Sequence, residues 1–127
     1  MTDVDQLFHD VLAASTSIAA ICGKRIYPLV IPQDSPLPAI EYNSAVGGSA
    51  TATLTGTGVQ KNRAEVNCYG DTMQDAKNLR LAVVGALNGY VDVTTGITIQ
   101  LIQPRNFFDH ELLQYRAMVE FYVYYTL

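Results

Sequence analysis

The sequence predicts an α+β domain: a four-stranded, mostly antiparallel sheet with two helices packed on one face, in the order α-β-β-α-β-β. Three observations carry this. Apolar residues recur at helical spacing in two segments, 3–22 and 71–88. Apolar and polar residues alternate in four others, 39–46, 63–69, 97–102 and 115–125. No internal repeat or linker divides the 127 residues, so residues 1–127 form a single domain, large enough to bury its own core.

The first helix places Val4, Leu7, Phe8, Val11, Leu12, Ser15 and Ile18 on one arc, with Gln6, His9, Asp10, Ala13 and Ser17 on the other. Thr2 or Asp3 can cap its start, and Gly23 can end it. The following KRIYPLVIPQDSPLP holds four of the five prolines, which lack the amide donor, so this segment reads as an extended, irregular crossing. In the next strand Ile40, Tyr42, Ser44 and Val46 alternate with Glu41, Asn43 and Ala45. Its hairpin partner turns Ala64, Val66 and Cys68 one way and Arg63, Glu65 and Asn67 the other.

Between them lies VGGSATATLTGTGVQKN, residues 46–62, uncharged before Lys61 and holding Gly47, Gly48, Gly56 and Gly58. Hairpin tips commonly take 2–5 residues. A loop over 47–60 is far longer, and its glycines raise the entropy lost on ordering. It is expected to become ordered only against a partner, such as an adjacent subunit, with Gly48, Thr53, Leu54, Thr55 and Gly56 as contact points.

Asp71 is expected to cap the second helix, with Gln74 closing a capping box and Asn88-Gly89 ending it. Ala76, Leu79, Val83, Ala86 and Leu87 form its core stripe. Met73, Leu81 and Val84 lie on the reverse face among Gln74, Lys77 and Asn88. A helix apolar on two faces is covered on both, so another subunit is the expected second cover. In the last strands Ile97, Ile99 and Leu101 alternate with Thr98, Gln100 and Ile102, and a loop is expected around Arg105–Glu111. Tyr115, Ala117, Val119, Phe121, Val123 and Tyr125 then share a face opposite Arg116, Met118, Glu120, Tyr122 and Tyr124.

Hydrophobic residues make up 49 % of the chain, which excludes general disorder. A net charge of −4 with no basic cluster argues against gripping nucleic acid by its phosphates, though not against DNA sliding past. Apolar runs fall well short of the ~20 residues of a membrane span. The acidic N-terminus MTDVDQLFHD lacks the bases of a signal peptide, so the expected compartment is cytoplasmic. Cys22 and Cys68 have no metal-type spacing and read as buried free thiols.

Sites for chemistry are not built. Gly58 is followed by Val-Gln-Lys-Asn and a strand rather than by the Gly-Lys-Ser/Thr and helix that cradle phosphate. His9 lies on a polar helix face, and His110 sits between Asp109 and Glu111, adjacent residues that rarely converge on a metal. Asp71 and Asp75 are explained by the helix dipole, and Cys68 faces inward as an inert thiol. No catalytic residue, cofactor site or metal site is expected.

Together these features resemble the tail-completion or tail-terminator proteins of long-tailed bacteriophages, of the tail-to-head joining type. The resemblance runs along nearly the whole chain. It consists of the N-terminal amphipathic helix, Arg25-Ile26-Tyr27-Pro28, then Leu37-Pro38-Ala39-Ile40-Glu41-Tyr42, the long Gly/Thr loop and Cys68-Tyr69. The helix from Asp71 to Leu87-Asn88-Gly89 and the aromatic closing strand Tyr115–Tyr125 complete it. The resemblance implies a non-enzymatic virion protein of the tail and head-tail neck, present in the host cytoplasm during assembly. It implies a homo-oligomeric ring, usually a hexamer, that caps the tail tube and ends its polymerisation. The implied partners are the major tail tube protein and a head-completion or stopper protein, with double-stranded DNA passing through unbound. The alternatives are a head-side neck or connector protein, a non-enzymatic ligand-binding module with a closed apolar pocket, and a hydrolase with a cryptic site, which His9 and His110 make hard to build.

Overall fold

The computed structural model describes residues 4–51, 59–94, 96–110 and 114–126. The helices are α1 (Val4–Ala14), α2 (Thr16–Cys22) and α3 (Met73–Leu87). The strands are β1 (Ile26–Pro28), β2 (Ala39–Thr51), β3 (Val59–Gly70), β4 (Val91–Asp92), β5 (Ile97–Asp109) and β6 (Gln114–Thr126). They form one six-stranded mixed sheet in the order β1-β2-β3-β6-β5-β4.

This corrects the expected four-stranded sheet with two helices. Short strands extend both edges: β1 pairs in parallel with Ile40–Tyr42 of β2, and β4 pairs with Ile97 and Thr98 of β5. The expected first helix is two. Ser15 sits in extended backbone (φ −74°, ψ 120°) and its Oγ accepts from the Ile18 amide at 3.3 Å, so the hydroxyl starts a new helix instead of continuing the old one. Gly23, at φ 59°, ends α2 as expected. At α3 the cap is Thr72 rather than Asp71, because Thr72 Oγ1 accepts from the Asp75 amide at 3.1 Å. Gly70 is required one turn earlier: a Cβ there would lie 2.8 Å from the Ala76 amide nitrogen.

The β2–β3 ladder continues past Val46, with Gly47–Thr51 paired to Val59–Arg63. Of the loop expected over 47–60, residues 47–51 and 59–60 are therefore strand, and 52–58 lie outside the described residues. The loop expected at Arg105–Glu111 is largely strand, since β5 runs to Asp109. Pro104 is tolerated because, among the described residues, the outer edge of β5 has no strand neighbour beyond Thr98.

The core lies between the sheet and its helices. Phe8 and Leu12 of α1, Ile18 of α2 and Leu79, Val83 and Leu87 of α3 are fully buried with Ile40, Val66, Ile99 and Phe121 of the sheet. Each such side chain contributes roughly 1.5–3 kcal/mol. Phe8 stacks on Tyr42 with ring centroids 5.9 Å apart, and Asp5 accepts a short hydrogen bond from the Ser44 hydroxyl, fixing α1 to β2. Cys22 and Cys68 are free and fully buried, and burial pushes both thiols up.

Candidate subunit interface

The helices leave part of their outer surface bare. Leu81 of α3 is 73 % exposed, while Val84 is half-buried against the core and Met73 is half-buried at the start of the helix. Leu81 borders two depressions. One is an open groove of about 1140 Å³ between α3 and the α1–α2 corner, walled by Leu7, Val11, Ile21, Ala82 and Tyr90. The other is a cleft of about 330 Å³ between α3 and β5, where Leu81, Val84, Leu101 and Pro104 meet Lys77 and Arg80. Arg80 is anchored, donating from Nη1 to Arg105 O at 3.0 Å and Asn106 Oδ1 at 2.6 Å. The Lys77 side chain makes no hydrogen bond or ion pair among the described residues.

Met73, Leu81 and Val84 thus sit along one helix, with Leu81 the prominent member. Gly48 lies in β2, paired with Asn62 of β3. Thr53, Leu54, Thr55 and Gly56 lie outside the described residues.

Among the described residues no helix lies on the sheet's other face, where charged and polar side chains meet. Glu120 is buried and paired with Arg63 at 2.5 Å, with Gln103 donating at 3.4 Å. Burial raises the Glu120 carboxyl, but the hydrogen bonds and charge of these neighbours outweigh it and hold the group below its ordinary value. Asn67 links Glu65 at 3.1 Å and Glu41 at 3.4 Å, and Arg116 donates to its Oδ1 at 3.3 Å. Arg116 lies over the Phe107 ring at 4.2 Å and Lys61 over Tyr122 at 4.0 Å. Cations and carboxylates here are matched to each other, which gives neither a nucleophile and base pair nor a basic track for phosphate.

His9 stands 3.8 Å from Asp10, and His110 packs edge-on against Phe108 with centroids 4.7 Å apart. Among the described residues no group of three or more His, Cys, Asp or Glu could hold a metal. Among the same residues no helix is long and apolar enough to cross a membrane.

The surface missed by the sequence reading is the segment after β1. Leu29 and Val30 are 61 % and 71 % exposed. Leu29 is the central residue of a γ-turn closed by Val30 N–H to Pro28 O at 2.7 Å, at φ 65°, which a branched side chain rarely adopts. The prolines that marked the segment as irregular gave no sign that its aliphatic residues face outward.

Residues 7–126 match the family "Tail completion protein gp17", and the chain belongs to that family, among the structural proteins of the bacteriophage virion tail. A search of curated proteins finds no match. Among solved structures, a chain of "Virion of native gene transfer agent (GTA) particle" has the same fold, with a TM-score of 0.81 at 16 % identity over 94 % of this chain and 92 % of that one.

Proposed function

We propose that this protein forms a closed ring, a hexamer by resemblance, on the head-proximal end of the tail tube. The ring ends tube polymerisation and joins the tail to the head without catalysing a reaction, and DNA passes through its lumen. The observation that carries the reading, beyond family membership, is Leu81: a leucine 73 % exposed between two apolar depressions on a helix whose opposite face is core. Bare apolar surface of this kind marks association. The net charge of −4 suits a channel that must not retain DNA. The partners in this reading are the major tail tube protein on one side and a head-completion protein on the other, and segment 52–58, carrying Thr53, Leu54 and Thr55, is the part offered to the tube or the lumen.

The test is assembly. Light scattering and negative-stain images of the purified protein, alone at high concentration and with tail tubes, should show rings or capped tubes. Leu81→Asp should abolish them while shifting the melting temperature by only a few degrees, since little of this side chain is buried. A strict monomer that also ignores purified tubes would refute the ring.

A further inference from the structure

The exposed turn at Leu29 and Val30 and the cleft at Leu81 lie towards opposite edges of one sheet. The turn follows β1, the first strand in the order β1-β2-β3-β6-β5-β4, and the cleft is cut between α3 and β5, next to the far edge. A second copy set beside the first by a simple rotation therefore brings the turn of one towards the cleft of the other.

The two surfaces match in chemistry. The turn offers two aliphatic side chains, and the cleft wall is Leu81, Val84, Leu101 and Pro104. From Ile26 to Pro38 the only charged residue is Asp34, exposed and with no side-chain partner among the described residues. The charged residues of the cleft are Lys77 and Arg80, with no carboxylate among its lining. The turn is also held in shape. Tyr27 Oη and Ser35 Oγ meet at 3.3 Å across its base, Leu29 N–H donates to Tyr42 O at 2.9 Å, and Arg25 Nε donates to Pro38 O at 2.8 Å. A positive-φ leucine costs conformational energy that local packing does not repay, because the side chain it displays touches solvent.

The geometry points to a head-to-tail contact between copies of this chain: the Leu29–Val30 turn of one subunit seats in the Leu81–Val84 cleft of the next, with Asp34 meeting Lys77. The contact joins two different patches, so it repeats from one subunit to the next instead of stopping at a two-fold dimer, and in the ring reading the repeat closes on itself. It rests on the ring reading above and names the surfaces that make the ring.

Charge exchange tests it on the full-length protein. Asp34→Lys and Lys77→Asp should each weaken assembly about tenfold or more by setting like charges together, and the double exchange should restore it. Leu29→Gly should leave the melting temperature unchanged or raised, because glycine accepts φ 65°, yet it should assemble less well than the parent. Val30→Cys with Leu81→Cys should give a ladder of linked subunits under mild oxidation. If the parent protein forms rings while the single exchanges assemble normally and the cysteine pair does not link, this contact is wrong and the ring stands. Single exchanges that block assembly without rescue by the double exchange would also overturn the pairing. Failure of the parent protein to assemble, alone or on tubes, removes the ring and this contact together.

Discussion

Glu120 is 6 % exposed, yet it points to the face of the sheet that no helix covers. It is buried by its neighbours' long side chains because β6 lies inside the sheet, with Arg63 on β3 and Gln103 on β5 reaching it from either side. Alternation in the sequence gives its direction but not its depth. Its folded pKa is lowered, so the stability it confers is present above its unfolded pKa and is lost as pH falls through the lower folded value. Glu41 has the opposite sign. Burial raises it, more than Tyr69, Arg116 and Asn67 pull it down, so its contribution is present below its unfolded pKa and is lost as pH rises through the raised value. Glu120→Gln should therefore flatten the acid side of the stability curve, and Glu41→Gln should remove a loss on its neutral side. Thermal melts from pH 3 to pH 7 would check both, and parallel curves for the parent and Glu120→Gln proteins would contradict the assignment. Arg63→Ala, which among the described residues leaves Glu120 with the long Gln103 bond, should lower the midpoint of chemical denaturation.

The elements were legible where one period ran undisturbed, and not where the backbone changed it. Ile97, Ile99 and Leu101 alternate cleanly, and then the register moves: Leu101 faces Phe121 but Gln103 faces Glu120, leaving Ile102 as an extra residue. One inserted residue reverses the face of everything after it. Arg105 and Phe107 consequently join the polar face opposite Met118 and Arg116, and a strand whose pattern inverts midway reads as a loop. The bulge in β2 behaves differently. Residues 44–46 stand opposite Ala64 alone, which adds two residues and preserves the face, so Gly47 continues the side that Asn43 began. Deleting Ile102 should thus be tolerated, because it removes the unpaired residue and leaves the pairs on either side in step. The deletion keeps Gln103 opposite Glu120 and leaves Arg105 and Phe107 on the polar face, so a cooperative thermal transition is the expected result, and its loss would contradict the bulge. Ile102→Val should melt close to the parent protein. The break at Ser15 was hidden for a related reason: a helix-capping hydroxyl and one sitting inside a helix look alike in sequence.

At the scale of the whole chain, the family was readable because its marks are spread from the first helix to the last strand, and residues 7–126 match it. The sheet order was less accessible, since β1 and β4 are three and two residues long and carry almost no pattern of their own. Of the proposed interface, the sequence revealed Leu81 and Val84 through helical spacing, but the turn at Leu29 needed a backbone angle to be seen. The β2–β3 ladder carries the chain out to segment 52–58, where Thr53, Leu54 and Thr55 sit. Replacing 52–58 by a two-residue turn should leave a folded subunit with the parent's melting temperature that no longer yields joined, infectious particles. Normal titres in a complementation assay would remove any role for the segment.

Cys22 and Cys68 provide a chemical clock. Both are fully buried, and burial raises their pKa values, so in the closed subunit neither presents thiolate to a reagent in water. One lies at the end of α2 and the other in β3, so labelling each tells when its own layer opens. Slow modification of both at a single rate would show that helices and sheet open together, whereas a faster Cys22 would show the helical corner lifting first. In an assembled ring both rates should fall further if neighbours hold the helices down, which makes alkylation time a measure of how firmly each subunit is clamped in place.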